Sequence, residues 1–302
     1  MLDMNVVRLM GGVGNQMFQY AFGRRLAAES GREVRFDTVN GFTRDPFGRK
    51  YALEAFNTGV VAATPALIPV GMSWGSPWHR LARYGWSALP ARWRSVVYER
   101  LPFACDGALV TASAARPAYY FGYWQHEGYF APIRDELRRR FELRAPLRPA
   151  VLALRGEMER ENSISLHVRC YHDRGADGKV IAQSRDRHGA CAWDYYHQAV
   201  ARIGAGPQAV CYVFSDDPSY TRDHLKLPVP CRYVGDYGAF TDLEEMLLMS
   251  SCRHHVISNS SFSWWGAWLG RNPAKLVVAP KIWMRGQPEG AVDVCPRSWI
   301  RI

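Results

Sequence analysis

Two textures of hydrophobic pattern alternate along this chain. Short dense apolar runs, typical of strands buried on both faces, are separated by stretches in which apolar residues recur three or four apart, typical of helices. Residues 5–10 read as a strand. Gly11, Gly12 and Gly14 follow at once, and over 17–30 Phe18, Ala21, Phe22 and Leu26 stack at helical spacing. Residues 33–37 give a second strand, so strand, glycine turn, helix and strand open an α/β unit. A strand at 119–123 and a charged helix at 133–141 come later. The proline-marked stretch RAPLRPAV at 144–151 then reads as a linker.

The second half restarts the same rhythm. Strands are expected at 163–168, 209–214, 231–234, 255–257 and 275–279, and helices at 193–203, 241–251 and 262–269. Asp242, Glu244 and Glu245 occupy the first turn of the 241–251 helix, where carboxylates favour the N-terminus. Polar residues gather where strands end: His167 and Arg169, then Ser215, Asp216 and Asp217, then Asn259, Ser260 and Ser261. Open α/β sheets bind ligands at those strand ends. The pattern predicts two doubly wound domains, 1–150 and 151–302, with a cleft between them.

One segment breaks the rhythm. Between 65 and 100 proline, tryptophan and arginine dominate, and Trp78, Leu81, Tyr84 (or Gly85) and Leu89 are expected on one apolar face, with Arg80, Arg83, Arg92 and Arg94 nearby. Such a segment suits peripheral contact with a membrane surface or an irregular insert packed on the first domain. No run of apolar residues is long enough to span a bilayer, and the N-terminus lacks the basic-then-apolar pattern of a secretion signal.

The net charge of +10 favours an anionic partner. It does not point to nucleic acid, because no zinc-finger spacing, RNP pattern or basic tail accompanies it. Seven cysteines, an odd number with no CxxC pair, argue against a disulfide framework or structural zinc. A cytoplasmic location, with or without peripheral attachment to the inner membrane, follows as the expectation. The aromatic share of 13% is high. Packing in the core accounts for most such residues more simply than a sugar platform does.

Several residues carry candidate chemistry, each beside a plainer duty. The loop 11–16 lets backbone N–H groups approach an anion or a sugar hydroxyl, or is simply a tight turn; it matches neither the dinucleotide fingerprint nor a P-loop. Arg169, two residues after His167, offers a bidentate clamp for a diphosphate, or a surface ion pair. His172 and Asp173 lie close enough in sequence to supply acid–base groups. Asn259, Ser260 and Ser261 at a helix start suit phosphate binding and capping equally. Asp216 and Asp217 alone do not make a metal site. This inventory favours a cationic phosphate clamp with no bound metal.

Taken together these blocks resemble the bacterial α-1,2-fucosyltransferases of glycosyltransferase family 11. The resemblance is carried by GGVGNQMFQYAFGRRLA at 11–27, FGYWQHEGYF at 121–130, SLHVRCYHD at 165–173, DYYHQAV at 194–200, VFSDDP at 213–218, DLEEMLLMSSCRHHVISNSSFSWWGAWLG at 242–270 and KLVVAPKIW at 275–283. It implies a GT-B-like α/β fold of two Rossmann-like domains facing a cleft, the acceptor side N-terminal and the GDP-fucose side C-terminal. It implies inverting transfer of L-fucose from GDP-β-L-fucose to the 2-hydroxyl of a galactose-terminated glycan, without metal, in assembly of a surface polysaccharide such as O-antigen. It assigns Arg169 to the pyrophosphate and His167 to the same donor-binding motif. It sets Gly14 and Asn15 near the donor sugar or phosphates, Asp216 and Asp217 around the nucleotide, and Asn259, Ser260, Ser261 and Phe262 near the diphosphate or guanosine.

One departure stands out. The family pattern HVRRGD is HVRCYHD here, so Cys170 replaces a second arginine, His172 falls on the carboxylate position and Asp173 is one residue late. The general base is therefore expected among Asp173, His172, Glu127 and Asp37, with Asp173 first. The rival readings are a GDP-sugar transferase of different donor or linkage, a nucleotide-sugar-binding protein impaired in turnover, and a peripheral membrane scaffold.

Overall fold

The computed structural model describes residues 4–69, 72, 96–100, 102–113, 116–171, 189–286 and 292–302. It divides into two compact units, Met1–Ala145 and Pro146–Ile302.

In the first unit the strands β1 (Asn5–Arg8), β2 (Val34–Asp37), β3 (Val96–Tyr98) and β4 (Tyr119–Phe121) form a four-stranded sheet in the order β2-β1-β4-β3. Every pairing is parallel, with Asn5 opposite Val34 and Val6 opposite Tyr119. Helix α1 (Val13–Ser30) packs on it and ends where Gly31 turns left-handed. Its first half is buried on nearly every face, glutamines included. They bond to the surrounding backbone: Gln16 donates to the carbonyls of Gly11 and Lys50 and accepts from the Ala52 N–H, and the Gln19 carbonyl oxygen accepts from the Met10 N–H. Buried amides thus hold the glycine loop in shape. Helix α2 (Gly107–Ser113) and helix α3 (Arg134–Arg140) also belong to the unit. Phe22 stacks on Trp124 at 4.1 Å, with Tyr129 edge-on.

The second unit opens with helix α4 (Pro149–Arg160), then β5 (Asn162–Val168), α5 (Trp193–Ile203), β6 (Ala209–Ser215), α6 (Pro218–His224) and β7 (Cys231–Tyr233). After these come α7 (Asp242–Ser251), β8 (His254–Val256), α8 (Ser261–Leu269), β9 (Val277–Ala279) and β10 (Ile300–Arg301). The sheet has six parallel strands in the order β10-β9-β8-β5-β6-β7. Counted within the unit this is the Rossmann order, reversing direction between β5 and β8. Side chains alternate across the sheet. Ile164, Leu166, Val168, Cys211 and Val213 face α5 residues Tyr196 and Ala199, while Tyr212 and Phe214 pack with Leu154, Met158, Leu248 and Met249. Both faces are covered, which explains the dense apolar strands.

The expected linker at 144–151 needs correction. The units part at Ala145–Pro146, and Pro149 already lies in the first turn of α4, where proline needs no N–H partner. The short α6 was not foreseen. Its start, Asp217 followed by Pro218, is a cap-and-N1 pair. The membrane-contact expectation for 71–100 lies largely outside the described residues, which there include Met72 and the strand β3. Among the described residues, no helix is long and apolar enough to cross a membrane. The tryptophans that are described are mostly core: Trp124, Trp264, Trp265 and Trp268 are all buried.

Candidate functional site

The strand order marks where a ligand crevice forms. In the second unit α5 follows β5 and α8 follows β8, on either side of the reversal, the place where open α/β sheets bind ligands. Chain geometry delivers Arg169, Cys170 and Tyr171 to one side and Ser258, Asn259 and Ser260 to the other.

Asp216, just beyond β6, organises the first side. Its Oδ2 meets Arg169 Nη1 at 3.0 Å and accepts the Tyr171 N–H at 3.1 Å, and its Oδ1 accepts the Cys170 N–H at 2.7 Å. The ion pair is only part-exposed, 21% for Arg169 and 16% for Asp216. It is therefore screened less than a surface pair. The Arg169 guanidinium also lies 5.2 Å from the centroid of the Tyr171 ring. Asp217, expected beside it around the nucleotide, caps α6 by accepting the Tyr220 N–H at 3.0 Å.

His167 and Ser258 join across the reversal, with Nδ1 and Oγ 2.8 Å apart. Burial, with the Arg169 charge adding to it, pushes the imidazole down to about 3. His167 is therefore neutral at physiological pH and orients its neighbours rather than carrying charge. Its ring lies 5.7 Å from Phe262. Ser260 is the N-cap of α8 and accepts the Phe262 N–H at 3.3 Å, placing Ser261 and Phe262 in the first turn. Asn259 is buried and its amide donates to the carbonyls of Gly189 and Trp283, at 2.9 and 3.1 Å. Its visible duty is to tie loops together.

Cys170 points into the core. It is 4% exposed, its Sγ is 3.7 Å from Thr221 Oγ1, and burial pushes the thiol up to about 11. It thus occupies the second-arginine position without facing the crevice. His172 and Asp173 lie outside the described residues.

The first unit repeats the arrangement. Its strand order reverses between β1 and β4, and the glycine loop follows β1. Gly11 sits at φ +75°, and a Cβ there would fall 2.7 Å from Asn15 Nδ2. Asn15 Oδ1 accepts from Gln125 Nε2 at 2.6 Å, a bond from the β1 side to the β4 side. Gly14 is buried within α1. Asp37 is saturated: it accepts from the Tyr119 hydroxyl at 2.5 Å, from the N–H groups of Val39 and Asn40 and from the Asn40 amide. That leaves it a structural carboxylate. Glu127 forms an ion pair with Arg134.

Three residues escaped the sequence reading as site members: Tyr171, Ser258 and Gln125. Gln125 lay inside the FGYWQHEGYF block, so a signal existed. Tyr171 and Ser258 owe their places to partners about ninety residues away, with separations of 88 and 91.

The family model of glycosyl transferase family 11 matches residues 91–302, well over half of the chain. The chain belongs to glycosyltransferase family 11. An α-1,2-colitosyltransferase of Escherichia coli is 29% identical over 306 aligned residues, spanning 98% of this chain and 98% of that protein. The E. coli O-antigen biosynthesis glycosyltransferase WbnK is 32% identical over 145 residues, 48% of this chain and 46% of its own. Among solved structures, fucosyltransferase NodZ from Bradyrhizobium superposes with a TM-score of 0.50 at 16% identity, covering 88% of this chain and 92% of that one. That likeness concerns fold, and with the two parallel-sheet units it makes this family 11 member an α/β protein of GT-B type.

Proposed function

We propose that this family 11 glycosyltransferase is an inverting α-1,2-fucosyltransferase. It moves L-fucose from GDP-β-L-fucose to the 2-hydroxyl of a terminal galactose on a surface glycan. The observation that carries the reading is the Arg169–Asp216 pair at the reversal of the Rossmann-ordered sheet, opposite the start of α8.

Bond cleavage at the anomeric carbon leaves charge on the departing diphosphate. A part-buried guanidinium held by a carboxylate is preorganised to meet it. The first turn of α8 contributes N–H groups and the positive end of its dipole to the same anion. Neutral His167 braces the crevice without adding charge. The acceptor hydroxyl must lose its proton as it attacks, a task the proposal gives to Asp173, with His172 and Glu127 as the other carriers. Metal is not required in this scheme, so transfer is expected to proceed unchanged in chelator.

A second donor has a specific observation behind it, the full-length similarity to a protein named for colitose transfer. Colitose is L-fucose without its 3-hydroxyl. A site that hydrogen-bonds that hydroxyl discriminates against the sugar lacking it by roughly 10⁴-fold, whereas a merely apolar wall does not. The test offers the purified chain GDP-fucose, GDP-colitose and GDP-mannose with a galactosyl acceptor, with linkage and anomer read by NMR. An α-1,2-fucosyl product supports the proposal. Transfer from GDP-colitose with rejection of GDP-fucose replaces it with the second donor, and transfer from GDP-mannose alone overturns both.

A further inference from the structure

We propose that Tyr171 is a positioning residue: it straps the loop after β5 to the loop after β8 and so sets how Arg169 presents its guanidinium to the donor diphosphate. This rests on the donor reading above. Three contacts converge on the residue. Its N–H donates to Asp216 Oδ2 at 3.1 Å, its ring lies 5.2 Å below the Arg169 guanidinium, and its hydroxyl donates to the Asn259 carbonyl at 2.8 Å. The side chain is buried, with 5% exposure for the residue.

The backbone adds an independent argument. Tyr171 has φ +57°, in the left-handed region where a bulky aromatic residue is an outlier. Such a conformation persists where its surroundings over-determine it, and it clusters where geometry matters. The HVRRGD pattern that this stretch resembles has glycine at this position. Glycine would take the same backbone shape freely, but it would bring neither ring nor hydroxyl. This chain keeps the shape and gains a brace.

Topology gives the brace its consequence. No direct chain connection joins β5 to β8, although they lie side by side in the sheet. At their carboxyl ends the two loops are joined by side-chain bonds: His167 to Ser258 and Tyr171 to Asn259. The first joins the strand ends themselves, and the second reaches from the loop that carries Arg169. Because Asp216 grips three consecutive residues, 169 to 171, a shift of the ring moves the guanidinium with it. Within 169–171 the neighbouring Cys170 side chain is buried among apolar residues, so Arg169 is the cation of that stretch that the tyrosine braces.

The experiment is a double-mutant cycle on the full chain: parent, Tyr171→Ala, Arg169→Ala and the double variant, with Tyr171→Phe beside them. GDP affinity by calorimetry, kcat and KM for GDP-fucose, and Tm are measured for each. Tyr171→Phe, which removes one hydrogen bond, is expected to weaken GDP binding about 3- to 10-fold. Tyr171→Ala should lose more, on the order of 30-fold, yet change affinity less than about 2-fold once Arg169 is alanine, because coupled residues are not additive. Equal losses in both backgrounds, or no loss in the parent, overturn the strap while leaving the donor reading intact. A parent that binds no GDP overturns the donor reading and the strap's stated role with it. If the alanine variant does not fold, the same cycle is run with Tyr171→Phe.

Discussion

At the scale of single residues, the proposed diphosphate clamp makes its first prediction at Arg169, which Asp216 holds at 3.0 Å. Arg169→Ala is expected to lower turnover at least about 100-fold, the loss typical of a transition-state charge stabiliser. Unchanged kcat would remove it from the mechanism. Cys170→Arg, which restores the letter of the family motif, is expected to do harm. The site lies in the apolar cluster with Val168, Tyr196 and Leu225. An unpaired guanidinium there should cost on the order of 3 kcal/mol of stability. A lowered Tm without added transfer is the expected result, and a gain in kcat would show that the loop re-registers to bring the new arginine outward. The place of Arg169 just after a strand was legible from the sequence because it is a local property. Where the Cys170 side chain points was not legible, because nothing local says that it turns inward, toward Thr221.

At the scale of elements, the first turn of α7 holds two neighbouring carboxyls with opposite titration. Hydrogen bonds from Arg148 and Thr241 hold Glu244 down to about 2 against an ordinary 4.5, while burial, with Asp242 adding, pushes Glu245 up to about 7. Glu244 closes a capping box with Thr241. The stability it contributes is present above its unfolded value and disappears as pH falls toward 2. Glu245 binds more protons folded than unfolded, so stability declines as pH rises from about 4.5 to 7. Melting curves of Glu245→Gln should therefore lose part of the parent's fall in Tm between pH 5 and pH 8. Glu244→Gln still supplies a capping-box acceptor but gives up the charge that faces Arg148, so it should lower Tm at pH 7 and flatten the loss of Tm on acidification. In the first unit, Gly11→Ala combines a left-handed φ with a clash against Asn15 and should likewise lower Tm. The central strands were legible as dense apolar runs, and the helix over 193–203 because its apolar residues recur at helical spacing. The helix over 149–160 was not, because its opening prolines imitate a linker, although proline at a first helical position is a start signal.

At the scale of the whole molecule, each unit has its own parallel sheet and its own core, and the chain passes once between them, at Ala145–Pro146. The fragment 146–302 is accordingly expected to fold cooperatively and to retain GDP binding, weaker than the intact chain, with no transfer. Calorimetry on the purified fragment checks this, and an unfolded fragment would show that the sheets depend on each other. The doubly wound class was legible from strands alternating with helices. Strand order was not, since parallel pairing is decided by partners far apart in sequence: β5 beside β8 separates residues such as Ser165 and His255. That order, more than any motif, explains why the loops that carry Arg169 and Ser260 follow neighbouring strands.

The tryptophan cluster of α8 has an optical consequence. Trp264 and Trp265 sit 4.9 Å apart at 73°, and Trp268 and Trp299 lie against them. Indoles this close and crossed couple their electronic transitions, so the second unit should carry an exciton couplet in circular dichroism that vanishes as its core loosens. Followed against temperature beside the far-ultraviolet signal of the whole chain, that couplet would report from inside one half of the protein without any label.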